Sequence, residues 1–269
     1  MTSKRSSLGE LVAQIPDGAL LAIPADYSGV AMAATFELIR QGKRGLRLVT
    51  APTSGLQADL LIGAGLVAEV ETAGIALGEY GAAERFRAAW AAGSMVIKDA
   101  TCPALHAGFQ AAEKGVPFLP LRGILGSDLL SARPDWKVIQ NPLAESPDPI
   151  VLVPAIRPDV ALFHVALADQ HGNAWVGVRR ELATLAHASA RTLVTAEEIH
   201  PGNLLEDPLL APGTLPHLYV DKVALAPRGT WPLGFLDQIP ADDSALSRYA
   251  EAAKSPLRFA AILGEWLHA

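Results

Sequence analysis

One cysteine, Cys102, is all the thiol that this chain of 269 residues carries. An internal disulfide and a multi-thiolate metal site are thereby excluded, and a reducing compartment, the cytoplasm, is the expectation. Basic residues are short as well: 22 Lys and Arg stand against 28 Asp and Glu, a formal net charge of −6. No basic stripe is available to neutralise phosphates, so no nucleic-acid partner is expected. No apolar run approaches the roughly 20 residues of a membrane-spanning helix. Met1–Pro16 lacks both a continuous apolar region and a small-residue cleavage site, so it does not read as a secretory signal. The seven histidines form no H-x-x-x-H or H-E-x-x-H pattern, and no metal site is expected. Low-complexity segments and short-period repeats are missing. What remains is 50% apolar and 19% charged, the balance of a globule with a large buried core.

Short β-branched runs alternate with helical runs closed by glycine. The pattern predicts strands over Ala19–Ile23, Leu46–Ala51, Leu66–Thr72, Ser94–Ile97, Val116–Leu121, Val151–Val153, Val160–Leu167, Ala174–Val178, Arg191–Ala196 and Leu218–Leu225. Helices are predicted over Leu8–Ile15, Val30–Gln41, Ala82–Ala92, Ala104–Glu113 and Glu181–Ala190, with two more in Asp242–Ala269 split near Pro256. Consecutive parallel strands need crossover helices, so this order implies an α/β fold, an open and mostly parallel sheet flanked by helices. The principal unit spans residues 1–226, and residues 227–269 form a helical C-terminal extension. Ser131–Pro149, with Pro134, Pro142, Pro147 and Pro149, is expected to be an irregular connecting flap.

Polar groups gather just beyond predicted strand ends, the edge where ligands bind in open α/β sheets. Asp99 with Thr101 and Cys102 follows one strand; Arg122, Gly123, Gly126, Ser127 and Asp128 follow the next; Glu197 and Glu198 follow Arg191–Ala196. Arg122 suits a carboxylate or polarised carbonyl, and Asp99 suits proton transfer. Each has a plainer reading: Asp99 as a helix cap, Arg122 as a structural ion-pair partner, the glutamates as solvent-facing charges. Cys102 has no histidine at a spacing that would activate it, and Glu79-Tyr80-Gly81 matches the Glu-x-Gly of covalent carboxylate catalysis only superficially.

From Ile15-Pro-Asp-Gly18 to about Asn203 the chain resembles the α-type subunit of the family I coenzyme A transferases, especially the glutaconate CoA-transferase branch. The resemblance rests on Glu37-Leu-Ile-Arg-Gln-Gly42, Leu61-Ile-Gly-Ala-Gly65, Arg85-Phe-Arg87, Gly115-Val-Pro-Phe-Leu-Pro-Leu-Arg122 with Gly126-Ser-Asp-Leu129, Arg157-Pro-Asp-Val160, Ala168-Asp-Gln-His-Gly-Asn173 and Val194-Thr-Ala-Glu-Glu-Ile199. It implies a sheet of the sugar-phosphate isomerase kind and residues 1–226 as the α-type domain. It also implies a coenzyme A thioester as substrate, with no permanently bound cofactor, a carboxylic acid as acceptor, and a β-type partner subunit carrying the nucleophilic glutamate. Asp99 and Arg122 are then the catalytic candidates, and Thr101, Gly123, Gly126, Ser127, Asp128, Glu197 and Glu198 the substrate-binding ones.

Two departures stand out. Pro24-Ala25-Asp26 occupies the position of a paired-glycine motif after the first strand, removing backbone freedom there. Asp99-Ala-Thr101 replaces a turn glutamate that a neighbouring, ring-opening hydrolase branch uses together with a downstream arginine. Hydrolysis of a cyclic acyl-CoA, and a binding subunit without chemistry, therefore stand beside CoA transfer as readings.

Overall fold

The computed structural model describes residues 4–268; Met1–Ser3 and Ala269, at the outer ends of the two expected units, lie outside the described residues. After α1 (Leu8–Ala13), the chain runs β1 (Leu20–Pro24), α2 (Met32–Arg40), β2 (Leu46–Ala51), α3 (Leu56–Gly63), β3 (Val67–Thr72), α4 (Glu84–Ala92) and β4 (Val96–Asp99). These four strands lie side by side in chain order, all parallel. α5 (Cys102–Glu113) then leads out of the sheet to β5 (Phe118–Leu121), α6 (Leu129–Ala132), β6 (Lys137–Gln140) and β7 (Pro149–Pro154), a separate antiparallel sheet in the order β5-β7-β6. The chain returns through β8 (Val160–Asp169), β9 (Ala174–Trp175), α7 (Arg180–Ala188), β10 (Arg191–His200), β11 (Thr214–Leu215) and β12 (Lys222–Leu225). β8 pairs with the free side of β1, then β10 and β12 continue outward in parallel, while β9 and β11 add an antiparallel corner to the end of β8. The α8 (Asp243–Ala252) and α9 (Pro256–His268) helices close the chain.

Burial explains the sequence pattern. Val160–Val165 is buried throughout, as a central parallel strand covered on both faces must be. On one face Leu105 and Phe109 of α5 pack with Leu182 and Leu185 of α7. On the other, Leu11, Leu38 and Leu61 bring α1, α2 and α3 onto the sheet. α3 is buried all round, Leu56–Ile62, because the C-terminal helices form a further layer over it and α2. There Trp266 stacks on Tyr249 at 5.5 Å and meets Phe36 edge-on at 6.1 Å. Arg40 of α2 donates twice to the Leu267 carbonyl, fastening the end of α9.

The expected open, mostly parallel sheet with C-terminal helices is what the chain forms. Three local expectations are corrected. Val116–Leu121 and Val151–Val153 do not extend the main sheet; Phe118–Leu121 pairs antiparallel with Pro149–Pro154. The proline-rich flap holds a regular strand, β6, because its prolines fall outside Lys137–Gln140. β10 runs on to His200, so Glu197 and Glu198 lie within a strand and not at the start of a loop.

Candidate active site

The order of the parallel strands reverses between β1 and β8, so the crevice beyond the carboxyl end of β1 is the topological switch point. Beside it a cleft of about 650 Å³ opens, walled by the loops that follow β1, β2 and β3 and by the segment that enters α8. Ala25, Asp26 and Tyr27 come from the first loop, Thr53 and Ser54 from the second, Gly74 to Tyr80 from the third; Leu233, Leu246 and Tyr249 close it from the C-terminal side. Hydroxyls tie the loops to their strands. Thr50 donates to the Pro52 carbonyl and pairs with Thr72, whose Oγ1 accepts the Gly74 N–H.

Asp26 is the chemical centre of this edge. Its Oδ1 accepts the Gly55 N–H at 3.1 Å and its Oδ2 the Leu56 N–H at 3.0 Å, so the carboxylate occupies the N-terminus of α3. Burial pushes its pKa up to about 6, against the pull of the two N–H groups, and Asp59 nearby pushes the same way. A carboxyl of that kind exchanges a proton near neutrality. Residue 55 has to be glycine: a Cβ would sit 2.3 Å from Asp26 Oδ2 and 2.5 Å from the Ala76 carbonyl oxygen. Asp59 is fully buried one turn further on, accepting the Phe86 N–H and the Tyr249 hydroxyl, each at 2.7 Å. Burial raises it to about 6 as well. Tyr80 donates to Asp243, and that bond pushes the phenol up to about 12.

The residues singled out from sequence are distributed elsewhere. Asp99 ends β4 with its side chain exposed, and the arginine that reaches it is Arg133, donating to its backbone carbonyl at 3.1 Å. Arg133 is buried, pairs with Glu71 and Asp135, and lies 4.2 Å over Trp136. The helix cap considered for Asp99 belongs to Thr101, whose Oγ1 accepts the Ala104 N–H at the start of α5. Arg122 follows β5 in the second sheet, and both arms of its fork are taken by Asp148, at 2.9 and 2.6 Å. That pair holds Asp148 down at about 2. Gly123, Gly126 and Asp128 are exposed beside it, and Ser127 donates to the Ile124 carbonyl.

Glu197 faces inward. His164 Nε2 lies 2.8 Å from its Oε1, and its carboxylate also accepts the N–H groups of Arg228 and Gly229; against burial, the His164 contact first and then these N–H groups hold its pKa low. The other nitrogen of His164 pairs with Thr195 at 2.8 Å. Glu198, one residue on, points to the exposed face. Asp26, Ser54 and Glu79, which line the cleft, were not among the candidates. The signal available for Asp26 was its place directly after the first predicted strand.

Among the described residues, no cluster of three or more His, Cys, Asp or Glu suits a metal ion, and no helix is long and apolar enough to cross a membrane. The A-type subunit of glutaconate CoA-transferase from Acidaminococcus fermentans is 31% identical over 87% of this chain and 78% of its own length. The crystal structure of that transferase superposes with a TM-score of 0.89, covering 98% of this chain and 89% of the other at 27% identity. The decarboxylase AibA/AibB, crystallised as a cysteine-to-serine variant, gives a TM-score of 0.84 and 31% identity over 98% of each chain. An uncharacterised protein of Archaeoglobus fulgidus is 35% identical over 94% of this chain. The chain spans only 58% of that protein's length. It likewise spans 66% of the A-type subunit of 3-oxoadipate CoA-transferase from Pseudomonas knackmussii, to which it is 35% identical over 69% of its residues. Residues 5–225 match the coenzyme A transferase family model, and the chain belongs to that family.

Proposed function

We propose that this chain is the α-type component of a CoA-transferase that moves coenzyme A between an acyl-CoA thioester and a carboxylic acid. The supporting observation is the superposition on glutaconate CoA-transferase over 98% of the chain, C-terminal helices included. In this reading a β-type partner subunit supplies the nucleophilic carboxylate. Attack on a thioester expels a good thiolate and keeps the acyl group activated for exchange.

The contribution of this chain is the cleft. Its apolar walls exclude water from the thioester, and Asp26 carries or releases a proton at its edge. Asp99 enters the proposal as an exposed carboxylate at the end of β4, with Thr101 holding the helix behind it. Arg122 enters only if a substrate carboxylate displaces Asp148, with Gly123, Gly126, Ser127 and Asp128 forming the loop around it. Glu197 and Glu198 act indirectly, through the strand that carries them.

The test is to purify the chain with and without a β-type partner and supply labelled acyl-CoA with a second carboxylic acid. Label appearing in a new acyl-CoA supports the proposal. Free CoA without exchange would establish the hydrolase reading instead, and carbon dioxide release with the thioester intact would establish decarboxylation.

A further inference from the structure

We propose that the cleft beyond β1, β2 and β3 binds an uncharged acyl chain, selecting monocarboxylic over dicarboxylic thioesters, with the Ser54 hydroxyl as its buried anchor; this rests on the acyl-CoA reading above. A volume of about 650 Å³ lies within the range of small-molecule sites. Leu56, Ile75, Leu77, Leu233 and Leu246 supply large aliphatic side chains to the wall. The charged residues that line it are Asp26 and Glu79, both acidic, and no lysine, arginine or histidine is among the lining residues. A distal carboxylate entering this space would meet two like charges and no cation among the lining residues.

Four other hydroxyls line the cleft, those of Tyr27, Thr53, Tyr80 and Tyr249, and the last two are committed. Tyr80 donates to Asp243 and Tyr249 to Asp59, both outside the lining. Ser54 differs from them. It is 4% exposed, lines the cleft, and its Oγ has no hydrogen-bond partner among the described residues. A buried polar atom left unpaired is costly, and because this Oγ has almost no accessible surface, a ligand recovers that cost when the Ser54 side chain turns toward the cleft. The ligand these groups fit has an apolar body, one carbonyl oxygen to accept from Ser54, and no negative charge at its far end. A saturated acyl thioester meets all three requirements.

Hexanoyl-pantetheine and adipoyl-pantetheine have acyl chains of equal length and differ at the distal end by a carboxylate, so they isolate the charge. Isothermal titration of the full chain at pH 7.5 is expected to show hexanoyl-pantetheine binding at least about tenfold more tightly. Lowering the pH below 6 narrows the ratio, because the Asp26 carboxyl, pushed up to about 6, takes a proton. Glu79→Lys should narrow or invert it at constant pH, and Ser54→Ala should weaken hexanoyl-pantetheine by roughly tenfold. Equal or tighter binding of adipoyl-pantetheine overturns the proposal, as does binding of neither compound or indifference to both substitutions. Binding needs no turnover, so selective binding by a chain that fails to exchange CoA even with its β-type partner added would sink the transferase reading and leave this site standing.

Discussion

Tyr249→Phe removes one oxygen from a fully buried contact, so its cost measures how firmly the C-terminal helices are fastened to α3. The hydroxyl donates to Asp59 Oδ2 at 2.7 Å, while Asp59 Oδ1 accepts the Phe86 N–H. Both side chains have no accessible surface, so water cannot replace the lost donor without a structural opening. A hydrogen bond to a charged group contributes about 1.5–3 kcal/mol, a neutral one about 1 kcal/mol. At pH 7.5 Asp59, with its pKa near 6, is mostly ionised, and the expected loss is about 2 kcal/mol. At pH 5 the carboxyl is protonated in parent and variant alike, and the loss should shrink to about 1 kcal/mol. For a chain of this size about 2 kcal/mol lowers the melting temperature by roughly 4–8 °C. Urea unfolding followed by tryptophan fluorescence reads the region directly, because Trp266 stacks on Tyr249. A loss below about 0.5 kcal/mol at pH 7.5, or the same loss at both pH values, refutes the reasoning.

The same carboxyls set a pH dependence of the parent chain. Asp26 and Asp59 are both raised from 3.8 to about 6 on folding, so the folded state holds its protons more tightly than the unfolded one. Their stabilisation is complete below the unfolded value and is lost as the pH rises through 6. The urea midpoint should therefore fall between pH 5 and pH 7, by about 1 kcal/mol per carboxyl, and Asp59→Asn should remove about half of that slope. Gly55→Ala places a Cβ 2.3 Å from Asp26 Oδ2 and should cost about 1–3 kcal/mol in a thermal or urea melt. Thr101→Ala should cost about 1 kcal/mol through the lost cap of α5. Asp99→Asn should leave the melting temperature unchanged, so any fall in partner-dependent turnover would report on chemistry and not on folding.

The sheet was legible because its strands announce themselves locally. Leu46–Ala51 is apolar, β-branched and bounded by glycine and proline, and it forms β2 with those bounds. The assignment of Phe118–Leu121 to the wrong sheet shows the limit of that signal. A four-residue apolar run after a helix reads the same whether it pairs parallel with β4 or antiparallel with a strand about thirty residues on. Asp99 and Arg122 were placed together on that assumption, whereas Arg122 follows a strand of the second sheet and is engaged by Asp148. The pairing of Arg133 with Glu71, and of Tyr249 with Asp59, spans 62 and 190 positions respectively. No periodicity carries information over such separations, and a cleft closed by residues 233–249 becomes visible only once the last helices are in place.

The Pro24-Ala25-Asp26 substitution acquires a physical meaning from these contacts. Paired glycines at the end of β1 would leave backbone N–H groups free to face a ligand; here the proline has no N–H and fixes its own φ. The aspartate goes further by filling the N-terminus of α3 with a carboxylate that belongs to the chain. A helix N-terminus is otherwise a ready anion site, and this one is already satisfied. Any oxyanion that develops on a substrate in the cleft must therefore be stabilised by donors outside the Gly55–Leu56 turn. Ser54, adjacent and without a partner among the described residues, is a donor within this loop. Asp26→Asn, which keeps an acceptor for one of the two N–H groups, should thus shift the pH profile of the turnover proposed above. Turnover by the isolated Asp26→Asn chain, with none by the isolated parent, would instead show that this carboxylate suppresses activity within the chain itself.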